Sequence, residues 1–201
     1  MVFKEKHIID FFKGLTLPFV IFWIYYYKQQ DNMTAWTYAA IHGSYGILWC
    51  LKSREREVTP LRFILLTSGL GGYWVAPITI TYLNTQHSPI YLCVSIMCYA
   101  IGVFMHFTSD MQKTISLQLK PGHLITSGLW KYSRNPNYFG ELLIYTSFCI
   151  LAAHWLPIVL FSSVIVMEWI PNMMRKEKSL SRYPEFAHYK SHSNLIVPCW
   201  F

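Results

Sequence analysis

Six long apolar stretches, separated by short polar connections, constrain this chain more than any other feature of its sequence. A helix that crosses a bilayer needs roughly 20 mostly apolar residues. Only 13% of the residues are charged, well below the share in an average soluble domain. We therefore expect an all-α, polytopic membrane helix bundle that forms one domain over residues 1–201. Its spans are predicted near 12–27, 33–51, 61–83, 88–108, 138–153 and 156–173, followed by an inner-face tail over 174–201.

The basic residues alternate between the connections. Sixteen of the seventeen Lys and Arg residues lie in the N-terminal segment, the second and fourth connections and the tail, and one lies in the other connections. Cytoplasmic segments of membrane proteins carry such an excess, so both termini are predicted on the cytoplasmic (inner) side. Anionic lipid head groups then account for the net charge of +7. We expect membrane lipids, and no nucleic acid, as partners.

The polar segment "RNPNYFGE", residues 134–141, directly precedes the fifth apolar stretch. Pro136 favours a helix that begins at or just after it, and free N–H groups beside Arg134 suit an anion such as phosphate. The amide of Asn137 can recognise a carboxamide. Glu141 lies about one turn inside the bilayer boundary, where a carboxylate indicates a site. Gly140 allows another backbone or a flat ligand to approach closely.

Other candidate residues lie on the same helix face, at the end of the fourth span and in the tail. Tyr145 follows Glu141 by four residues and shares its face. His106 and Asp110, one turn apart, can hydrogen-bond to a ribose or a head group. The tail offers residues that could clamp phosphates, namely Arg182, Tyr189 and Lys190. Neither a C-x-x-C motif nor a His/Cys cluster at metal-ligand spacing is present, so no metal is expected.

Each of these features also has a structural explanation. The polar residues of "RNPNYFGE" can cap the fifth helix and anchor it at the interface. Glu141 can form an ion pair with Arg134 or Lys131. Glu168, inside the last span, can pair with Lys176, and the tail cations can contact lipid head groups. The sequence leaves these alternatives open.

Several motifs together resemble an uncharacterised membrane family related to the C-terminal domain of steroid 5-alpha-reductases. The resemblance covers the chain from about residue 41 to its end. It rests on the segments "HGSYGILWCLK", "YWVAP", "SDMQK", "GLWKYSRNPNYFGE" and "KEKSLSRYPEFAHYKSHSNLIVP". It implies a helix bundle with a cofactor pocket open to the cytoplasmic face. Reductases of this superfamily use NADPH, and methyltransferase relatives such as isoprenylcysteine carboxyl methyltransferase use S-adenosylmethionine.

Residue by residue, the resemblance implies roles near the cofactor. Asp110, Asn137 and Glu141 match positions near the nucleotide in the reductases. Arg134 and Tyr138 match the motif shared with the methyltransferases. Departures are present as well. Many relatives have His where this chain has Asn135, the methyltransferase acidic pair is missing around residue 177, and the last span reads "EWIPNMM".

The resemblance leads to one favoured activity and two alternatives. We expect NADPH-dependent reduction of a double bond in a lipid or steroid-like, hydrophobic substrate. Tyr138 or Tyr145 would donate the proton, with Glu141 beside the nicotinamide. The alternatives are an S-adenosylmethionine-dependent methyltransferase and a catalytically degenerate subunit of a larger membrane complex. The expected location is the endoplasmic reticulum, with the mitochondrial inner membrane as the alternative.

Overall fold

The computed structural model describes residues 5–52, 71–72 and 74–198, and this part of the chain is helical and without strands. The α-helices are α1 (Glu5–Gly14), α2 (Thr16–Tyr26), α3 (Met33–Lys52), α4 (Val75–Tyr82), α5 (Pro89–Leu119), α6 (Pro136–Ala152), α7 (Trp155–Val164), α8 (Ile170–Leu180) and α9 (Phe186–Ser191). A 3₁₀ helix covers Gly128–Lys131, and a π-helical turn covers Ile165–Trp169.

Among the described residues, three helical segments are long and apolar enough to cross a membrane. They are His7–Tyr26, Pro89–Leu119 and Trp155–Leu180, and they correspond to three of the predicted spans. The predicted spans 33–51 and 138–153 are the helices α3 and α6, which do not meet that criterion. Most of the predicted span 61–83 lies outside the described residues, and its last part is α4. The all-helical class is thus confirmed for the described residues, and three of the predicted spans are candidate membrane helices by length and composition, while the count of six spans and the side of the termini stay predictions.

The chain divides into two compact units. The first comprises Met1–Met97 with Thr146–Phe161, and the second comprises Cys98–Tyr145 with Ser162–Phe201. In the first unit, α3 packs against α1, α2 and α4. Gly43 and Gly46 allow this packing, because a methyl group at either position would collide with Leu17 or with the Lys13 carbonyl. The predicted single domain stays a prediction.

Hydrogen bonds join two connections and a helix end within the first unit. Asn32 Nδ2 donates to the Thr85 carbonyl at 3.1 Å, and the backbone N–H of His87 donates to Thr34 Oγ1 at 2.9 Å. His87 Nε2 lies 3.1 Å from the carbonyl oxygen of Leu151, near the end of α6. The connections that follow α2 and α4 therefore meet each other and the C-terminal end of α6. Both are connections that the sequence predicts to be poor in basic residues.

The π-helical turn before α8 has a local cause. Pro171 has no N–H, and in a regular helix its ring would collide with the carbonyl four residues earlier. The N–H of Ile170 instead bonds to the carbonyl of Ile165, five residues back. This wider turn relieves the collision and changes the direction of the side chains that follow. Glu168, within the turn, is exposed at the surface of the second unit.

Within the second unit, α5 and α6 approach each other backbone to backbone at two glycines. A Cβ atom on Gly102 would lie 2.7 Å from the Gly140 carbonyl oxygen. A Cβ atom on Gly140 would collide with the backbone nitrogen of His106. Small residues at such a crossing allow two membrane helices to pack closely. The glycine in the polar motif therefore accommodates another backbone, which is one of the two uses expected for it.

We predict that Gly140→Ala destabilises the second unit. The added methyl group meets the α5 backbone, which cannot rotate away as a side chain can, so a cost of about 1–3 kcal/mol is expected. Thermal unfolding of the purified protein in detergent measures the change. Gly14→Ala is the matched control, because among the described residues its new Cβ would meet only Cys50 Sγ, at 3.5 Å. Equal midpoints for the two variants would contradict the close helix crossing.

Candidate functional site

The residues just before α6 are joined to the C-terminal tail by main-chain hydrogen bonds. Ser133 and Asn194 form an isolated parallel bridge. The N–H of Arg134 donates to the Asn194 carbonyl at 2.9 Å, and the N–H of Asn194 donates to the Tyr132 carbonyl at 3.2 Å. The hydroxyl of Ser133 donates to the Ile196 carbonyl at 2.6 Å. We call Ser133–Asn135 together with Ser193–Ile196 the tail clasp.

The Arg134 side chain is the centre of the tail clasp and is buried. Its Nε donates to Glu177 Oε1 at 2.7 Å, which forms a buried ion pair between the start of α6 and α8. Its Nη1 donates to the Ser193 carbonyl, and the Lys190 carbonyl lies 3.4 Å away. Lys190 Nζ also lies 3.4 Å from Glu177 Oε2. The guanidinium thus binds a carboxylate and the tail backbone.

A lysine and an asparagine complete the same region. Asn135 is fully buried, and its Nδ2 donates to the Leu195 carbonyl at 2.9 Å. Lys176 Nζ donates to Asn135 Oδ1 at 3.0 Å and to the Arg134 carbonyl at 2.6 Å. The ammonium also lies 4.4 Å from the centre of the Trp130 ring, within cation–π range. Asn135 therefore connects both the tail and α8 to the start of α6.

Helix α9 is held against the loop before α6 by a buried phenol. The hydroxyl of Tyr189 donates to the Trp130 carbonyl at 2.5 Å, and the indole N–H of Trp130 donates to the Ser109 carbonyl at 3.1 Å. Burial raises the pKa of the Tyr189 phenol to about 12. The phenol is therefore protonated, and remains a donor, throughout the physiological pH range.

A second polar cluster lies where α6 crosses α5. His106 is buried, and its Nδ1 lies 3.3 Å from the Asn137 carbonyl and 3.9 Å from Glu141 Oε1. In the described part of the chain, the side-chain oxygen of Asn137 is buried and accepts no hydrogen bond. A buried acceptor without a donor is costly, so this atom marks a place that a ligand could complete. We call His106, Asn137 and Glu141 the α5–α6 cluster.

Two tyrosines of α6 extend this cluster towards the π-helical turn. The Tyr138 ring lies 5.1 Å from the Trp169 ring, and the Tyr145 ring lies 6.2 Å from it. The Tyr138 hydroxyl lies near the side chain of Asn172, and the carboxylate of Glu141 acts on it electrostatically. The Tyr138 ring is therefore held by an aromatic contact beside an amide and a carboxylate.

The structure separates the predicted site residues into groups. His106, Asn137, Glu141, Tyr138 and Tyr145 lie together on α5 and α6. Asp110, half-buried one turn beyond His106, acts electrostatically on Tyr138. Three others hold the tail in place. Arg134 binds the tail from the start of α6, whereas Tyr189 and Lys190 are part of the tail.

Arg182 lies apart from both groups. It is exposed and contacts the neighbouring Tyr183, with its Nη2 donating to the phenol oxygen at 3.0 Å.

Glu177 and Lys176 organise the site, although the sequence did not predict them as site residues. Glu177, and not Glu141, is the acid that pairs with Arg134. Lys176, for which the sequence suggested Glu168 as a partner, instead binds Asn135 and the backbone beside it. The position of Glu177 between Lys176 and Lys178 could have indicated the first pairing.

We predict that Arg134→Gln destabilises the protein by about 3 to 5 kcal/mol, because it leaves the Glu177 carboxylate buried without its guanidinium. The midpoint of thermal unfolding in detergent should fall by roughly 10 °C. Adding Glu177→Gln should recover part of that loss. Arg182→Gln is the control, and a change below about 0.5 kcal/mol is expected there. Similar losses for the two single Arg variants would contradict the tail clasp.

The comparison with known proteins identifies the family and no named relative. No curated protein matches the chain. One family model, described as a protein of unknown function, DUF1295, matches residues 59–193. The match includes the α5–α6 cluster and the side chains that surround Arg134. The chain therefore belongs to the DUF1295 family of proteins of unknown function.

Proposed function

We propose that this chain is a multi-pass membrane enzyme, similar to the steroid 5-alpha-reductases, that reduces an activated double bond in a hydrophobic substrate with NADPH. The observation that carries the proposal is the buried side-chain oxygen of Asn137, which has no hydrogen-bond partner among the described residues. The backbone carbonyl of the same residue lies 3.3 Å from His106 Nδ1, and Glu141 follows one turn later on α6. A buried acceptor without a donor, on a residue that also contacts an imidazole, is what a cofactor with an exposed amide would complete.

The residues of the α5–α6 cluster fit the amide end of a nicotinamide. A carboxamide NH₂ group offers donors, and Asn137 Oδ1 is an acceptor without a donor among the described residues. The backbone crossing at Gly102 and Gly140 fixes α5 against α6, so the amide and His106 are held in place. Such preorganisation reduces the entropic cost of binding.

In this proposal the chain's own residues supply the proton for the reduction. When bound, the cofactor supplies a hydride to the β-carbon of the double bond. The Tyr138 hydroxyl would donate the proton to the α-carbon of the same double bond, and the contact with Trp169 holds the Tyr138 ring in position. His106 Nδ1 lies 3.9 Å from Glu141 Oε1, so a charge on either group acts on the other.

The phosphates of NADPH would need cations other than Arg134. Its Nε binds Glu177, and its Nη1 binds the carbonyl oxygens of the tail. Tyr189 and Lys190 also have partners within the protein. We therefore assign these three residues to holding the tail. This assignment differs from the phosphate-binding roles expected from the sequence.

A structural subunit of a larger membrane complex is the second candidate function. It is favoured by the same tail clasp, since the side chains that a phosphate would need are occupied by the chain's own carboxylate and carbonyls. An S-adenosylmethionine-dependent methyltransferase needs no phosphate contacts either. A binding experiment distinguishes these three functions.

We also propose six membrane spans, with both termini on the cytoplasmic side of the endoplasmic reticulum. Two observations support this topology. Sixteen of seventeen basic residues fall in alternate segments. Two connections that are poor in basic residues also meet within the first unit, through the hydrogen bonds of Asn32 and His87.

We predict that the purified full-length chain binds NADPH and that Asn137→Ala weakens binding about tenfold, the effect of losing one buried hydrogen bond. Calorimetric titration of the protein in detergent measures the affinity. Asn194→Ala is the matched control, because Asn194 is exposed and its bonds in the tail clasp are made by its backbone.

Other results of that titration would contradict the proposal. Saturable binding of S-adenosylmethionine without NADPH would favour the methyltransferase. Binding of neither compound by a folded protein would favour the structural subunit. NADPH binding that Asn137→Ala leaves unchanged would place the cofactor away from the α5–α6 cluster.

We predict that only one of two introduced cysteines is labelled from outside in sealed vesicles of a single known orientation. Gln86→Cys lies in the connection after α4, and Ser181→Cys follows α8, and both residues are exposed. A thiol reagent that cannot cross the membrane should modify only one of them, because the two sites are expected on opposite sides. The unmodified parent chain provides the background from the native cysteines. Equal labelling of both sites would contradict the six-span topology.

A further inference from the structure

Two histidines at the end of α9 lie one helical turn apart on the protein surface. His188 and His192 are both exposed, and the centres of their imidazole rings are 4.4 Å apart. The segment "HYKSH" has the H-x-x-x-H spacing of helical zinc sites, and His192 directly follows the last residue of α9. The expectation of no metal rested on the absence of a C-x-x-C motif and of a His/Cys cluster in the sequence. It did not consider this pair.

The hydrogen bonds of His192 orient its ring for metal binding. Its Nδ1 lies 2.9 Å from the backbone carbonyl oxygen of His188. A carbonyl oxygen can only accept a hydrogen bond, so Nδ1 carries the proton when this hydrogen bond forms. The hydroxyl of Ser191 lies 2.9 Å from the same nitrogen. Nε2 then keeps its lone pair. Metal-ligating histidines commonly donate their second ring N–H to a backbone carbonyl in this way.

We propose that His188 and His192 bind a divalent transition-metal cation such as Zn²⁺ at the end of α9. Imidazole nitrogen is a suitable ligand for Zn²⁺ and for other transition metals such as Cu²⁺ and Ni²⁺, whereas Mg²⁺ and Ca²⁺ prefer oxygen ligands. The described residues contain no group of three or more His, Cys, Asp or Glu side chains around a common point. The site therefore has two protein ligands, with water in the remaining positions, and it binds reversibly.

A metal at this site would act on the tail clasp. It would join the two ends of the turn that contains Tyr189 and Lys190. Tyr189 holds the Trp130 carbonyl, and the residue after His192 supplies the carbonyl that binds Arg134. A ligand that binds the folded form stabilises it in proportion to its saturation. The metal therefore strengthens the attachment of the tail to α6.

The site is tested with the full-length chain, purified in detergent without a polyhistidine tag and treated with EDTA before dialysis. Titration with ZnCl₂ is followed by calorimetry. We expect one saturable site of this kind in the parent chain. His188→Ala and His192→Ala should each weaken it by roughly tenfold or more, because the second imidazole binds as an intramolecular ligand. His7→Ala is the control, since His7 is exposed and lies on α1, and it should leave the site unchanged.

A second measurement detects the effect on the tail. Zn²⁺ should raise the midpoint of thermal unfolding of the parent chain and of His7→Ala, and it should slow amide hydrogen exchange at residues 189–196. Neither change is expected in His188→Ala or His192→Ala. Equal Zn²⁺ affinity in all four proteins, or no saturable binding, would overturn the proposed site. Binding at the histidine pair without slower exchange would overturn its effect on the tail clasp.

Discussion

The buried ion pair between Arg134 and Glu177 is the interaction on which the second unit depends. Two charges removed from water need each other and further hydrogen bonds to be tolerated. Arg134 obtains those bonds from the carbonyls of Ser193 and Lys190. One side chain therefore fixes the start of α6, the middle of α8 and the tail at the same time. The positions of Asn135 and Lys176 follow, because both bond to the backbone that this pair holds.

Pro136 divides the polar motif into two parts with different tasks. The residues before it lie outside the helices and bond to the tail, as Arg134 and Asn135 do. The residues after it are helical, so Asn137 and Glu141 share the face that meets His106 on α5. A helix that begins at a proline follows from the fixed φ of that residue and its missing N–H. The motif therefore combines a structural part and a candidate binding part.

Much of the fold is predictable from local sequence, whereas the partners of the charged residues are not. The length of the apolar stretches predicts helices, Pro136 predicts the start of α6, and Gly140 predicts a close approach. The pairing of Arg134 with Glu177 joins residues 43 positions apart. No helical period connects them, so only the tertiary fold selects Glu177 over Glu141. The histidine spacing in α9 is visible in the sequence, yet its ring orientation depends on a backbone carbonyl.

The separation of the two polar regions affects how the family motif can be used to infer function. If Arg134 were the main cofactor contact, the tail would have to leave before any nucleotide could bind, at the cost of exposing Glu177 without its partner. The α5–α6 cluster involves no such loss, because the side-chain oxygen of Asn137 has no hydrogen-bond donor in the described chain that a ligand would have to displace. The contacts of Arg134 are therefore explained by the architecture, whereas recognition by Asn137 stays a proposal. A cofactor bound by that cluster and a metal bound by the histidine pair could then act on separate parts of the second unit, one at the helix crossing and the other at the tail.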